Sequence, residues 1–215
     1  MDIKKVTQSL ALITVSLVSI SAMAIEEPTY VVTESSDKIE LRSYESMVVA
    51  EVRVGGPIDS ATSAGFRMIA GYIFGDNTSR TGVEEKIAMT APVTVVSENL
   101  NKIDSEKISM TAPVTSQKEG DLWRIHFVMP SEYSLKSLPE PNDDRVKLRE
   151  VPAKNYAAIR FSGLAGEKKV AEKTRELTEW LASKGLQPIG EPELARYNPP
   201  WTLPFMRRNE VLIRY

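Results

Sequence analysis

Residues 39–56 read IELRSYESMVVAEVRVGG, and residues 146–163 read VKLREVPAKNYAAIRFSG. At an offset of 107 residues, Ile39-Glu40-Leu41-Arg42 meets Val146-Lys147-Leu148-Arg149. In the same register Ala50, Val52, Arg53, Val54 and Gly56 meet Ala157, Ile159, Arg160, Phe161 and Gly163. Each copy alternates apolar and polar residues on both sides of a short polar break, Ser43 to Ser46 and then Pro152 to Asn155. That pattern predicts a β-hairpin in each copy.

A helical pattern follows each copy. From about Pro57 to Phe74, Ile58, Thr62, Gly65, Ile69 and Tyr72 form one stripe, widened by Ala61, Phe66 and Ile73. From about Glu167 to Lys184, Val170, Leu177, Trp180 and Leu181 form an apolar face, and Gly185 marks the end. More strands follow each helix. The order hairpin, helix, strands therefore occurs twice. It predicts an α+β fold in which a pseudo-duplicated antiparallel β-sheet, curled into a distorted barrel, carries two packed helices.

A second repeat lies inside this one. KIAMTAPV occupies residues 86–93 and KISMTAPV residues 107–114. Alternation predicts two neighbouring strands with Met89 and Met110 on their apolar faces, joined through the polar stretch Ser97 to Glu106. Pro92 and Pro113 cannot donate to a ladder, so each marks an edge or a bend.

Composition narrows the function. There are no cysteines, which removes disulfides, thiolate nucleophiles and Cys-ligated metals, and the one histidine, His126, cannot build a histidine-rich metal site. Residues 1–24 read as a signal peptide: Lys4 and Lys5, an apolar run from Leu10 to Ile20, then Ala22-Met23-Ala24. Cleavage after Ala24 would leave residues 25–215, exported to a periplasm-like or extracellular space without a stable membrane span. Removing Asp2, Lys4 and Lys5 from 27 basic and 29 acidic residues leaves 25 and 28, a net charge of −3. No basic stripe of the kind that grips nucleic acid is present.

The segments GFRMIAGYIFG (65–75) before KIAMTAPV, FVMPSEYSL (127–135), LPEPNDDRVKLREVPAKNYAAIRFSG (138–163) and YNPPWTLPFMRRNEVLIRY (197–215) together resemble the SOUL haem-binding protein family. The resemblance runs from about Tyr30 to Tyr215, with two pseudo-repeats at roughly 28–120 and 121–215. It implies a distorted barrel related to bacterial effector-binding domains. It also implies non-covalent binding of haem or another tetrapyrrole at a shallow hydrophobic site beside the first helix, with basic residues meeting the propionates. In one branch a histidine serves as ligand; the matching position here is Ser43. Basic contact positions of another branch fall on Ser63, Gly71 and Leu203.

The residues of the first helix read compatibly. Ala61, Gly65 and Ala70 are small enough to admit a flat macrocycle, Phe66, Met68 and Tyr72 offer stacking surface, and Arg67 is placed to reach a carboxylate. On the strand LWRIHFVMP, Trp123, Ile125, Phe127 and Met129 share one face, while His126 shares the other with Leu122, Arg124 and Val128. His126 is thus read as an ordinary surface or hydrogen-bonded histidine rather than an iron ligand. Met89 and Met110 are read as core gap-fillers. Arg207 and Arg208 are read as ion-pair partners of groups such as Glu210, and Asn77-Thr78-Ser79 as a polar turn that also fits a glycosylation acceptor.

These readings predict an exported, non-enzymatic binder of a hydrophobic tetrapyrrole. The alternative is a small-molecule-sensing or partner-binding module that takes no haem. An enzyme ranks third, because no Cys, one His and no Gly-rich phosphate loop leave only carboxylate chemistry.

Overall fold

The computed structural model describes residues 26–80 and 108–215. The first half contains β1 (Tyr30–Ser36), β2 (Ile39–Tyr44), β3 (Met47–Gly55), α1 (Ile58–Ile73) and the short β4 (Asn77–Thr78), followed by β5 (Val114–Glu119) and β6 (Leu122–Val128). The second contains the short β7 (Glu140–Pro141), β8 (Lys147–Val151), β9 (Lys154–Phe161), α2 (Glu167–Ser183), β10 (Ile189–Arg196) and β11 (Asn209–Arg214). Both helices fall where the 3.6-residue periodicity placed them, and α2 is closed by Gly185 at φ +71°, a left-handed conformation that glycine adopts without steric cost.

The repeat is structural, but the two hairpins do not form. β2 pairs with β9 and β3 with β8, so the first strand of each copy is bonded to the second strand of the other. The register keeps the 107-residue offset: Leu41 faces Ala157, and their counterparts Leu148 and Ala50 also face each other. Alternation specifies a strand and its faces but not its partner, so two adjacent strands with a short break imitate a hairpin.

The main sheet is antiparallel, in the order β1-β2-β9-β11-β10-β5-β6-β3-β8. With β1 set aside, the order from either end is the same when the halves are exchanged, so a pseudo-two-fold axis runs between β5 and β10. Only Glu45 and Ser46 separate β2 from β3, although these strands lie near opposite ends of that order. So short a link spans about 10 Å, which forces the sheet to curl until its ends approach. Closure stops there: β1 and β8 remain edges, and the expected barrel is an open, curled sheet.

Both helices cover one face. Ile69, Tyr72 and Ile73 of α1 pack on Val52, Ile125 and Phe127, while Leu177 and Leu181 of α2 pack among Ile159, Leu194 and Val211. Each large side chain removed from water in this way contributes about 1.5–3 kcal/mol. The other face is concave, because Tyr44, Val151 and Glu193, drawn from both ends and the middle of the strand order, line one cavity there.

The second MTAPV copy departs from the predicted strand. Ile108 is buried, but Met110 is 37% exposed, and regular pairing begins only at Val114. Thr111 instead bridges Glu26 and donates its hydroxyl to the Val128 carbonyl, which takes the chain out of the alternating register. Met89 and the first copy lie outside the described residues.

Candidate functional site

α1 divides the residues that the sequence offered to a ligand. Ala61, Gly65 and Tyr72 are buried toward the sheet, while Ala70 is buried on the side of the helix that carries Ser63 and Arg67. A Cβ on Gly65 would stand 2.7 Å from Ile125 Cγ1 and 3.1 Å from Val52 Cγ2, so the missing side chain admits the sheet rather than a macrocycle. The Tyr72 hydroxyl donates to the Pro139 carbonyl at 3.0 Å, fixing the ring inside. Phe66 and Met68 are half-buried at the margin of the same core, the Phe66 ring 5.5 Å from that of Phe127. Arg67 and Ser63 are exposed on the outer side, and Gly71 adjoins Asp76. The outward surface of α1 therefore includes Asp59, Ser60, Ser63, Arg67 and the rims of Phe66 and Met68.

A second element supplies apolar surface that the sequence reading missed. The loop between β10 and β11 exposes Trp201 (82%), Phe205 (73%), Leu203 and Met206, and Leu164 in the loop before α2 is exposed as well. The signal was present in PPWTLPFM, where four large apolar residues lie among prolines and therefore cannot alternate into a sheet. Arg207 holds this loop from within: its Nε donates to the Thr202 carbonyl at 2.7 Å and its Nη2 to the Pro200 carbonyl. Gly163 N–H donates to the Pro204 carbonyl at 2.9 Å, joining the two loops. At the loop's root, Arg196 donates to Thr62 and Asp59 of α1 at 3.2 Å each and to the Ala165 carbonyl at 3.3 Å. Arg196 thus ties the β10 end of this loop to the start of α1. So many large apolar side chains left in water in one place mark an interaction surface.

The concave face is polar. Glu210, fully buried, accepts from Arg42 at 2.6 and 3.2 Å, from Arg208 at 3.0 Å and from Tyr197 at 2.9 Å. Burial alone would push the Glu210 carboxyl up; the hydrogen bond and charge of Arg42 outweigh it and hold it below the ordinary carboxylate range. Arg208 is therefore the structural partner of Glu210 that the sequence suggested, while Arg207 is spent on loop carbonyls. Ser43 is half-buried in β2, paired with Val31 and Asn155. Asn77 is buried and donates from Nδ2 to the Tyr72 carbonyl at 2.7 Å, a structural role at the end of α1.

His126 is on the helix-free face, as its strand parity required, but it is not an ordinary surface histidine. It is 9% exposed and its Nδ1 has no hydrogen-bond partner. Burial, with the Arg124 charge second, depresses its pKa to about 3, so the imidazole is neutral. The sheet separates it from α1.

A family model described as SOUL heme-binding protein matches the chain twice, over residues 25–103 and 96–214. No curated protein matches it in sequence. Among solved structures, the EcmrR C-terminal domain is similar with a TM-score of 0.53 at 10% identity, covering 82% of this chain and 95% of that one. A structure described as a hydrolase from Listeria innocua has a TM-score of 0.53 at 11% identity, covering 84% and 93%. An uncharacterized conserved protein from Listeria innocua has a TM-score of 0.52 at 13% identity, covering 82% and 91%. At these identities the likeness is one of fold.

Proposed function

The chain belongs to the SOUL heme-binding protein family, and on that premise we propose that it is a non-enzymatic binder of haem or a related tetrapyrrole at the apolar surface between α1 and the β10–β11 loop. The observation that carries this reading is the exposed group Trp201, Leu203, Phe205 and Met206 on the β10–β11 loop, whose β10 end Arg196 ties to Asp59 and Thr62 of α1. A flat apolar macrocycle covers such a surface by stacking and area burial, worth about 25 cal/mol per Å² before association costs. Phe66, on the flank of α1 that carries Asp59 and Thr62, extends the surface, and Arg67 is placed to meet a propionate. Ala61, Gly65 and Tyr72 support the site from behind, by holding the helix against the sheet.

The residues fit a group held by apolar contact rather than by a strong axial ligand. Ser43 occupies the ligand position of one branch, His126 lies across the sheet, and among the described residues no cluster of three His, Cys, Asp or Glu is placed to hold a metal ion. When bound, haem would supply its own iron chemistry; this chain's residues bind and orient the macrocycle and shield one of its faces from water.

Soret titration of residues 25–215 with haem tests the reading. Replacing Trp201 and Phe205 together by Ser should weaken binding by about tenfold or more, because both stacking surfaces are lost, while the melting temperature stays near wild type. Arg67→Glu should weaken it by about 1 kcal/mol, and His126→Ala should leave it unchanged. Equal affinity in the Trp201/Phe205 variant would place the ligand elsewhere. The protein's place of action we propose to be outside the cytoplasm, with processing after Ala24. N-terminal sequencing from fractionated cells checks this, and an intact Met1 in the cytosol would overturn it.

A further inference from the structure

The concave face holds a cavity of about 50 Å³ beside the pseudo-two-fold axis, on the side of the sheet away from the helices. Both halves wall it: Thr115, Arg124 and His126 from β5 and β6, and Lys154, Tyr156 and Glu193 from β9 and β10. Among the described residues, two buried side-chain nitrogens lack a hydrogen-bond partner, Arg124 Nε and His126 Nδ1. Both belong to residues that line this cavity. Native folds leave few buried polar atoms unpaired, and here both belong to residues around one space.

The chemistry of the walls is one-sided. Arg124, Arg149 and Lys154 face a single carboxylate, Glu193. Glu119 and Glu51 engage the two arginines from outside the cavity at 3.0 and 2.9 Å. Lys154 is half-buried and has no ion-pair partner among the described residues. Tyr156 donates its hydroxyl to Glu193 at 3.2 Å, and burial raises that carboxyl toward its neutral form. Arg124 Nε–H can only donate, so its missing partner is an acceptor. The space holds about three to five water-sized atoms, the size of a carboxylate with a methyl group.

We propose that this cavity is a second binding site, distinct from the helix-side surface, that takes a small carboxylate or the carboxylate end of a larger ligand. The anion accepts from Arg124 Nε–H and from the Nδ1–H tautomer of His126, and pairs with the Lys154 ammonium. A free short-chain acid and a tetrapyrrole propionate share this chemistry.

Because His126 is the only histidine, selective ¹⁵N-histidine labelling of residues 25–215 gives one imidazole to observe. Titration with sodium acetate at constant ionic strength should shift its signals saturably, and methylammonium should not. Lys154→Met, which removes no existing pair, should weaken acetate binding by about tenfold, and Arg124→Met at least as much. A linear, unsaturated shift up to about 100 mM acetate, a methylammonium response equal to that of acetate, or wild-type affinity in Lys154→Met would each overturn the proposal and leave a water-filled cavity. Acetate that binds without displacing haem in the Soret titration identifies a free acid; acetate that displaces haem identifies the carboxylate as a propionate and moves the macrocycle to the concave face, overturning the helix-side site. The Trp201/Phe205 variant should bind acetate like wild type, so failure of the haem reading and failure of this one are separable.

Discussion

At the scale of single residues, side chains that look alike in sequence carry opposite energetic roles. Gly65 is small because Ile125 and Val52 occupy the space its Cβ would need. Gly65→Ala should therefore lower stability by about 1–3 kcal/mol through overpacking, read as a fall in denaturation midpoint; an unchanged midpoint would mean that the helix stands off the sheet. Arg42 and Glu210 form a buried pair, and Arg42→Met should cost about 3 kcal/mol, because the buried carboxylate loses one of its two arginine partners. The folded pKa of Glu210 lies below its unfolded value, so its contribution is present above the ordinary carboxylate range and lost as pH falls through the folded value. His126 carries the same sign at higher pH. Its pKa falls from 6.5 unfolded to about 3 folded, so its stability is full above 6.5 and drains away as pH drops toward 3. Between pH 7.5 and pH 5, His126→Phe should remove about 2 kcal/mol of that loss, measured by urea unfolding at both pH values. Glu51, Arg124, Arg149, Lys154 and Glu193 surround the imidazole, and Glu193, raised by burial, acts with opposite sign. The difference between wild type and variant therefore isolates the histidine better than either slope.

At the scale of elements, the segment from Ile108 to Pro113 shows how a short tertiary contact overrides a local pattern. Ile108 N–H donates to the Ile73 carbonyl at 2.8 Å, docking its side chain under the end of α1. Met110 is turned outward by the bridge between Thr111 and Glu26. Ile108→Asp should therefore destabilise by several kcal/mol, since it buries an unpaired carboxylate, whereas Met110→Asp should stay within about 1 kcal/mol of wild type. Equal losses in thermal unfolding would restore the alternating strand that the sequence pattern predicts. The β10–β11 loop is the counterpart case. Its apolar residues are exposed while Arg207 and Gly163 fix its backbone.

For the whole molecule, the exchange of strands between copies has a direct consequence. β2 depends on β9, while β3 depends on β6 and β8, and the sheet is continuous only through the pairing of β5 with β10. Fragments 28–129 and 130–215, which keep β5 and β6 together, should each be largely unfolded alone and recover sheet content when mixed, as followed by circular dichroism. A cooperative melt of either isolated fragment would show that the copies are independent folding units. Non-local pairing of this kind also ties the concave cavity to the intact fold, since its walls come from both copies.

Much was settled by the sequence itself. Alternation fixed which face of each strand is apolar, so Ile125 and Phe127 lie under α1 and His126 on the other side, and 3.6-residue periodicity fixed both helices. The 107-residue repeat determined that the architecture is a duplication. Tertiary structure alone decided strand partners, because periodicity carries no information about which edge a strand meets. It also decided which side of α1 a ligand can touch. Gly65 and Ala61 are read from sequence only as small, and whether smallness admits a ligand or a sheet depends on what is packed a few ångströms away. The unpaired nitrogens of Arg124 and His126 belong to the same class: burial and the lack of a partner arise only when strands distant in sequence enclose a common space.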